Sequence, residues 1–270
     1  MNFTSNHFNT NHWAIILGGS SGFGLATAKK LSRHGMNLCI VHRDRKGAME
    51  RIEHEFKEIQ SNFITFNLDA LSSEGRTHVL DSLQKAMGPN GKVRMLMHSI
   101  AFGNLKPIAP DKGNPELQLI EEEDMSRTIY SMGTSLLTWT QELFGRNLFA
   151  DDSRVLAMTS EGNKIAWRGY AAVSAAKVAL ESIVRSIAVE FGPYGIRANT
   201  IQAGVTDTPA LRLIPGSDKM KLAALQRNPL GRLTCPEDVA NFIALLCTDE
   251  ASWVNGALLR VDGGECISSA

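Results

Sequence analysis

The sequence predicts an α/β fold, doubly wound, in which a single parallel sheet of about seven strands carries helices on both faces. Three observations lead there. Short apolar runs alternate with longer helical patterns along most of the chain, and a glycine-rich turn joins the first run to the first helix. No linker, repeat or low-complexity segment divides the 270 residues, so one domain spanning 1–270 is expected.

Residues 13–17 (WAIIL) are the first apolar run and read as a strand. GGSSGFG follows directly; Leu25, Ala28 and Leu31 then recur at helical spacing until Gly35 closes the helix. LCIV (38–41) and FITF (63–66) each precede a charged helical stretch, and VRMLM (93–97) completes a fourth strand by residue 100. A loop rich in Pro, Gly and acids covers 104–124, and a helix over about 125–148 leads to the strand VLAM (155–158). The next helix runs from about 169 to Phe191 and stops at Gly192-Pro193, because proline lacks the donor a helix needs. IRANTI (196–201) is the following strand. A polar stretch over 202–234 reads as flexible, and PEDVANFIALL and ALLRV supply the last helix and strand. Such regular alternation implies parallel strands covered on both faces.

Composition narrows the partners. The chain carries 28 Lys+Arg against 28 Asp+Glu, whereas duplex binding and anionic-membrane binding need a basic surplus or a polybasic segment. Nucleic acid and membrane are therefore excluded as expected partners, and the apolar runs are too short to span a bilayer. With 43% hydrophobic residues, a chain of this length buries roughly 75% of its extended surface. The four cysteines, at 39, 235, 247 and 266, form no CxxC pair, no metal-ligand spacing is evident, and the opening stretch MNFTSNHFNTNHW is polar. A reducing, cytoplasmic setting without a metal is the expectation.

Gly18, Gly22 and Gly24 lie between a strand and a helix, the Rossmann arrangement in which glycines let a diphosphate approach amides at a helix N-terminus. Ser20 and Ser21 add hydroxyls. The plainer alternative is a glycine turn without a ligand. About 20 residues on, where NAD-binding chains place an acid against the ribose hydroxyls, the second strand ends at His42-Arg43-Asp44-Arg45. His42 occupies the acid position, and Arg43, helped by Arg45, can pair with a 2′-phosphate, which points to NADPH. A shift of two residues would put Asp44 in the acid position and restore NAD, and both arginines could instead simply be solvated.

GGSSGFG (18–24), HSIAFG (98–103), Tyr170-x6-Lys177, AGVTDT (203–208) and RVDGG (260–264) occur in that order. On these motifs the chain resembles the short-chain dehydrogenase/reductase superfamily over essentially its whole length. Within it the chain is most similar to NADPH-dependent enoyl-acyl-carrier-protein reductases, in particular the smaller branch often called enoyl reductase III. The resemblance implies a cofactor site formed by Gly18, Ser20, Ser21, Gly22, Phe23, Gly24, His42, Arg43, Asn67, Leu68, Ser99, Ile100, Ala101, Lys177, Ala203, Gly204, Val205 and Thr208. Thr208 matches the residue that binds the nicotinamide carboxamide, and residues around 203–230 form a substrate lid, with Lys219 and Lys221 among them.

Tyr170 and Lys177 are two helical turns apart on one face. Ordinary ketoreductases of the superfamily place the Tyr four before the Lys, where this chain has Val173. Moving the phenol three residues shifts it by roughly 4.5 Å along the helix, the order of displacement needed when hydride goes to C3 of an enoyl thioester while the oxygen stays on C1. Tyr170 would stabilise the enolate oxygen, and Lys177 would bind the nicotinamide ribose and favour the phenolate by its charge. Ser160 matches the ketoreductase serine and takes a secondary catalytic role. His98 and Ser99 replace the usual Asn-Asn pair and are expected as pocket residues, His98 as a satisfied residue beside the cofactor and not an acid or base, and Met132 stands where a proton-relay Asn would be.

The leading expectation is thus reduction of trans-2-enoyl thioesters, linked to acyl carrier protein or coenzyme A, in fatty-acid synthesis. A 3-oxoacyl or other carbonyl reductase is the second reading, resting on Ser160 and the full glycine turn. A non-catalytic NADPH sensor is the third. The family also implies a homodimer or homotetramer through helices 125–148 and 169–191 and the C-terminal strand.

Overall fold

The strands are β1 His12–Leu17, β2 Asn37–His42, β3 Phe63–Asn67, β4 Lys92–His98, β5 Phe149–Thr159, β6 Ile196–Ala203 and β7 Leu258–Val261. In the computed structural model, which describes residues 8–114 and 116–269, they form one parallel sheet in the order β3-β2-β1-β4-β5-β6-β7. The order reverses between β1 and β4. In open sheets of this type the crevice outside the carboxyl ends of the strands at that reversal is where ligands bind.

Every residue of β2 and the IIL of β1 are buried, which is why these strands read as continuous apolar runs. The edge strand β3 is instead partly exposed along its length. On one face, α3 Ser73–Met87, α5 Ser135–Gly145 and α6 Ala171–Glu190 pack Leu80, Leu83, Trp139, Leu180 and Val184 against Ile15, Leu17 and Val155. On the other, α1 Gly22–Arg33, α2 Met49–Phe56 and α9 Pro236–Leu246 pack Leu25, Leu31, Ile52, Val239 and Ile243 against Ile16, Ile40 and Met97. The periodic Leu25, Ala28 and Leu31 are all buried.

Three guanidiniums close the amino end of the sheet. Arg94 and Arg154, both almost fully buried, donate to the last carbonyls of α9: Arg94 to Cys247 at 3.0 Å, Arg154 to Leu246 at 2.7 Å and Thr248 at 3.0 Å. These carbonyls have no partner within a helix, so cations are well placed there. Asp152 neutralises both arginines and Arg197 beside them.

One expectation needs correction. The helix expected over 125–148 is three pieces: α4 Glu122–Ile129, a π-helical turn Tyr130–Thr134, and α5. The widened turn has local causes. Ser131 Oγ donates to Phe102 O at 2.5 Å and to Thr128 O at 3.1 Å, Ser135 Oγ donates to Ser131 O at 3.2 Å, and a Cβ on Gly133 would stand only 2.8 Å from the Ala176 carbonyl. The segment 202–234, read as polar and flexible, holds α7 Pro209–Arg212 and α8 Ser217–Arg227. Among the described residues no helix is long and apolar enough to cross a membrane.

Candidate active site

The turn after β1 is shaped by absent side chains. Gly18 has φ +88° and lies against the strand end of β4, where a Cβ would come within 2.5 Å of Ser99 O. A Cβ on Gly24 would overlap the Gly18 carbonyl, so α1 begins in close contact with the strand that feeds it. Gly22 has φ +52°, and a Cβ there would meet only Thr208, at 3.4 Å. The glycine turn therefore looks across a cleft at the root of the expected lid. Ser21 is the N-cap but makes no side-chain cap hydrogen bond, and the first turn holds no acid. Among the described residues this helix N-terminus keeps its positive end for an external anion. The cradle thus fits a dinucleotide diphosphate.

At the far end of the crevice His42 is buried and its Nδ1 lies 2.9 Å from Asp44 Oδ2. The Asp44 backbone is gripped by Asn67, which accepts from Asp44 N at 2.9 Å and donates to Asp44 O at 3.1 Å. Asn67, expected on the cofactor, is thus occupied in fixing this turn, and Leu68 N donates to His42 O at 2.9 Å. Arg43 is exposed, pairs with Asp69 at 3.0 Å and lies 5.9 Å from the centre of the Phe102 ring. Asp69 and Phe102 flank the guanidinium, and sequence reasoning named neither.

β5 delivers Ser160 at its end, and Tyr170 sits at the N-cap of α6, with φ −106° and ψ 2°, one step outside the helix. The Ser160 and Tyr170 hydroxyls are 3.5 Å apart. Lys177, two turns on, is buried and its Nζ donates to Met158 O at 2.8 Å. Burial pushes the Tyr170 phenol above its usual pKa, with Ser160 opposing in part. Among the described residues the Lys177 ammonium is turned to the Met158 carbonyl, while burial holds the Tyr170 phenol toward its protonated form. Burial also lowers Lys177 to about 8, against the pull of Glu181 one turn further along α6. Glu181 was not anticipated. It accepts hydrogen bonds from Thr159 Oγ1 at 2.6 Å and from Asn163 Nδ2, and so braces both sides of Ser160.

An apolar cluster surrounds the phenol: Met132, Val173 and Ala176, packed with Leu105, Ile129, Trp167 and the lid residue Ile214. Trp167 stands edge-on to Tyr170 with ring centres 5.2 Å apart. Val173 and Met132 meet across Gly103, where a Cβ would lie 2.8 Å from Met132 Sδ and 3.2 Å from Val173 Cγ2.

His98 is fully buried and held to Ser135 Oγ at 2.9 Å, in keeping with a residue that is neither acid nor base, but it supports the end of β4 from within and does not line the pocket as expected. Burial, with the nearby Lys177 charge, lowers its pKa to about 3 and keeps it neutral. Ser99, Ile100 and Ala101 are more open and run past Gly18, with Ser99 N donating to Leu17 O at 2.8 Å.

Beyond β6 the loop 203–208 is pinned by backbone. Gly204 N donates to Val261 O at 3.2 Å and Val205 N to Glu265 Oε2 at 3.1 Å, while Thr208 Oγ1 caps α7 by accepting from Leu211 N at 3.2 Å. Lys221 pairs with Asp218 at 2.9 Å and reaches Asp207 at 3.6 Å, and Lys219 is exposed. No cluster of His, Cys, Asp and Glu fit to hold a metal ion occurs among the described residues.

The sequence profile of the Enoyl-(Acyl carrier protein) reductase family matches residues 18–265. A protein of Bacillus subtilis (strain 168) named "Probable 2,4-dienoyl-CoA reductase [(2E)-enoyl-CoA-producing]" is 27% identical over 259 residues, covering 94% of this chain and 96% of that one. A 1-cyclohexenylcarbonyl-CoA reductase of Streptomyces collinus is 27% identical over 257 residues, covering 94% and 86%. Among solved structures, the enoyl-[acyl-carrier-protein] reductase (NADH) of Aquifex aeolicus superposes with a TM-score of 0.82 at 24% identity, over 96% of this chain and 98% of that one, which shows the shared fold.

Proposed function

Because the chain belongs to the enoyl-(acyl carrier protein) reductase family of short-chain dehydrogenases/reductases, we propose that it reduces the carbon–carbon double bond of trans-2-enoyl thioesters with NADPH. The observation that carries this reading is the placement of Tyr170. Its phenol stands seven residues before Lys177, beside Ser160, and the position four before Lys177 is filled by Val173 in apolar contact with the cluster around Met132.

The glycine cradle, the N-terminus of α1 and Arg43 would hold the cofactor, which when bound supplies hydride to C3 of the enoyl chain, a proton from solvent then being added at C2. Arg43 supports NADPH because its guanidinium is exposed while the acid beside it, Asp44, is engaged by His42. Lys177 would hold the nicotinamide ribose hydroxyls by its ammonium. Tyr170, whose burial favours the protonated phenol, would donate a hydrogen bond to the thioester oxygen, where negative charge gathers. Ser160 stands as a second donor near the same oxygen. Trp167, Met132, Val173 and Ile214 exclude water, which strengthens both bonds.

The names of the two curated relatives, both reductases of coenzyme A thioesters, support a coenzyme A-linked substrate, and the family description supports a carrier-protein-linked one in fatty-acid synthesis. Carbonyl reduction remains the second reading because of the Ser160–Tyr170 approach. We read 1–270 as one domain with the lid at 203–230. Exposed Phe144 on α5 and Val178 and Val189 on α6 support pairing of copies in a homodimer or homotetramer, and four unpaired cysteines support a cytoplasmic setting.

The test is oxidation of NADPH and NADH with crotonyl and acetoacetyl thioesters, each on coenzyme A and on acyl carrier protein. Turnover with crotonyl thioesters and NADPH is expected. Turnover with acetoacetyl thioesters alone would overturn the proposal in favour of the carbonyl reading.

A further inference from the structure

The last turn of α8 carries a guanidinium that the proposed chemistry does not use. Arg227 donates to both oxygens of Glu161, at 3.2 and 3.1 Å, and to Glu265 Oε1 at 3.1 Å. Both carboxylates are withdrawn from solvent, with side-chain exposures of 16% and 2%. Glu161 directly follows Ser160. Glu265 opens the short helical turn Glu265–Ile267, and its other oxygen accepts from Val205 N at 3.1 Å. A Cβ on Gly204 would stand 2.8 Å from that same oxygen, so the loop backbone lies directly on the carboxylate.

One side chain thereby joins its own helix to two segments far from it in sequence. It ties the lid to the loop bearing Ser160 and, through Glu265, to the backbone of residues 204 and 205. Without the guanidinium two carboxylates of like charge would face one another in a largely dry site, and each would be driven to move or to take up a proton. Burial and the Glu161 charge already push Glu265 above the usual carboxylate range, while Arg227 and the Val205 N–H oppose this. A fork is required, because an ammonium is a point charge and cannot meet both partners in the same geometry. Next to Arg227, buried Asn228 adds a bond to Asp262 O at 3.0 Å, whereas toward the other end of the lid Arg212 and Lys221 pair with Asp207 in the open, where ion pairs contribute little.

We propose that Arg227 is a positioning residue of the nicotinamide site: while the last turn of α8 is seated, its fork on Glu161 and Glu265 fixes Ser160 and the Val205 backbone against the cofactor. The lid is thus fastened at its C-terminal end, and motion that admits substrate falls on residues 209–216. This inference rests on the cofactor reading above.

The experiment is a fluorescence titration of the whole protein with NADPH and with NADH, for the wild type, Arg227→Met, Arg227→Lys, Glu265→Gln and the double variant Arg227→Met/Glu265→Gln, with circular-dichroism melts alongside. Arg227→Met and Glu265→Gln should each weaken the preferred cofactor about tenfold, as loss of a charge-assisted bond predicts. The double variant should bind no more weakly than the worse single variant, since both break one link. Arg227→Lys should fall between, at about a threefold loss. Folded variants that bind like the wild type would overturn the proposal, as would losses that simply multiply in the double variant, the mark of a general structural weakening. If Arg227→Met fails to fold, Arg227→Lys and Glu265→Gln carry the decision on single-variant affinity. A wild type that binds neither cofactor would instead overturn the reading on which the proposal stands.

Discussion

Glu181 stands one helical turn beyond Lys177 and accepts a hydrogen bond from Thr159 Oγ1 at 2.6 Å, so one carboxylate acts on the buried ammonium and on the strand end that presents Ser160. Among the described residues, the titratable groups whose charges couple to Lys177 are this acid and the neutral His98 of β4. With its pKa lowered to about 8, Lys177 is cationic below that pH and loses its charge above it. NADPH affinity should therefore fall as pH rises through about 8. Glu181→Gln keeps an acceptor for Thr159 but removes the charge that raises Lys177, so the fall should move to lower pH. NADPH titrations across pH 6 to 9.5, a window of roughly this size around the expected midpoint, check it, and coincident midpoints in the two proteins would count against the role given to Glu181.

Tyr170→Phe should lower kcat for the enoyl thioester by about 10²–10³, the usual cost of losing a donor to a developing oxyanion. Cofactor affinity should hold, because Tyr170 contacts Ser160 and the apolar cluster while the cradle lies at β1 and α1. Parallel losses of both quantities would place the phenol in folding and not in chemistry.

Arg43→Ala should cut the preference for NADPH over NADH by about tenfold or more, the worth of a charge-assisted phosphate contact. Asp69 and Phe102 would remain but cannot pair with a phosphate. The ratio of kcat/KM for the two cofactors measures this directly, and an unchanged ratio would remove Arg43 from cofactor choice.

Gly18→Ala forces a side chain into a φ of +88° and to within 2.5 Å of Ser99 O. Backbone strain alone costs about 1–2 kcal/mol, and the overlap adds to it. Denaturant melts should show a loss of at least about 2 kcal/mol, with cofactor binding impaired even in the folded fraction.

Asp152→Ala would leave Arg154 buried without a neutralising charge and Arg94 with Asp249 alone, at 2.8 Å. Because the carbonyls at the end of α9 still accept from both, the expected loss is about 2–3 kcal/mol, below the range for a fully dry pair. Urea unfolding of the two proteins gives the difference.

Much of this architecture can be read directly in the chain. Each of the seven strands contains an apolar run, because a sheet covered on both faces leaves little room for polar residues on its inner strands, although β5 begins six residues before its run, at Phe149. Tyr170 and Lys177 are legible because helical spacing is local. The π-helical turn is not, since its causes are a close approach of Gly133 to Ala176 and hydroxyls that compete for carbonyls. Asp69, Glu181, Arg227 and Glu265 escape notice for a related reason. Their partners lie 26, 22, 66 and 38 residues away, and nothing in the local pattern distinguishes them from solvated charges.

The guanidiniums at the amino end of the sheet give the two ends of the molecule unequal stiffness. At that end α9 is fastened through its final carbonyls to β4 and β5, and a displacement there would have to strip buried arginines of several bonds at once. The carboxyl end consists of turns and short helices whose ties, among them the Arg227 fork and the Asn67 grip on Asp44, run to one another or to a strand end and not into the body of the sheet. Ligand-driven rearrangement should therefore remain on one side of the sheet, and an amide-exchange profile should show a gradient of protection along each central strand, rising away from the cleft.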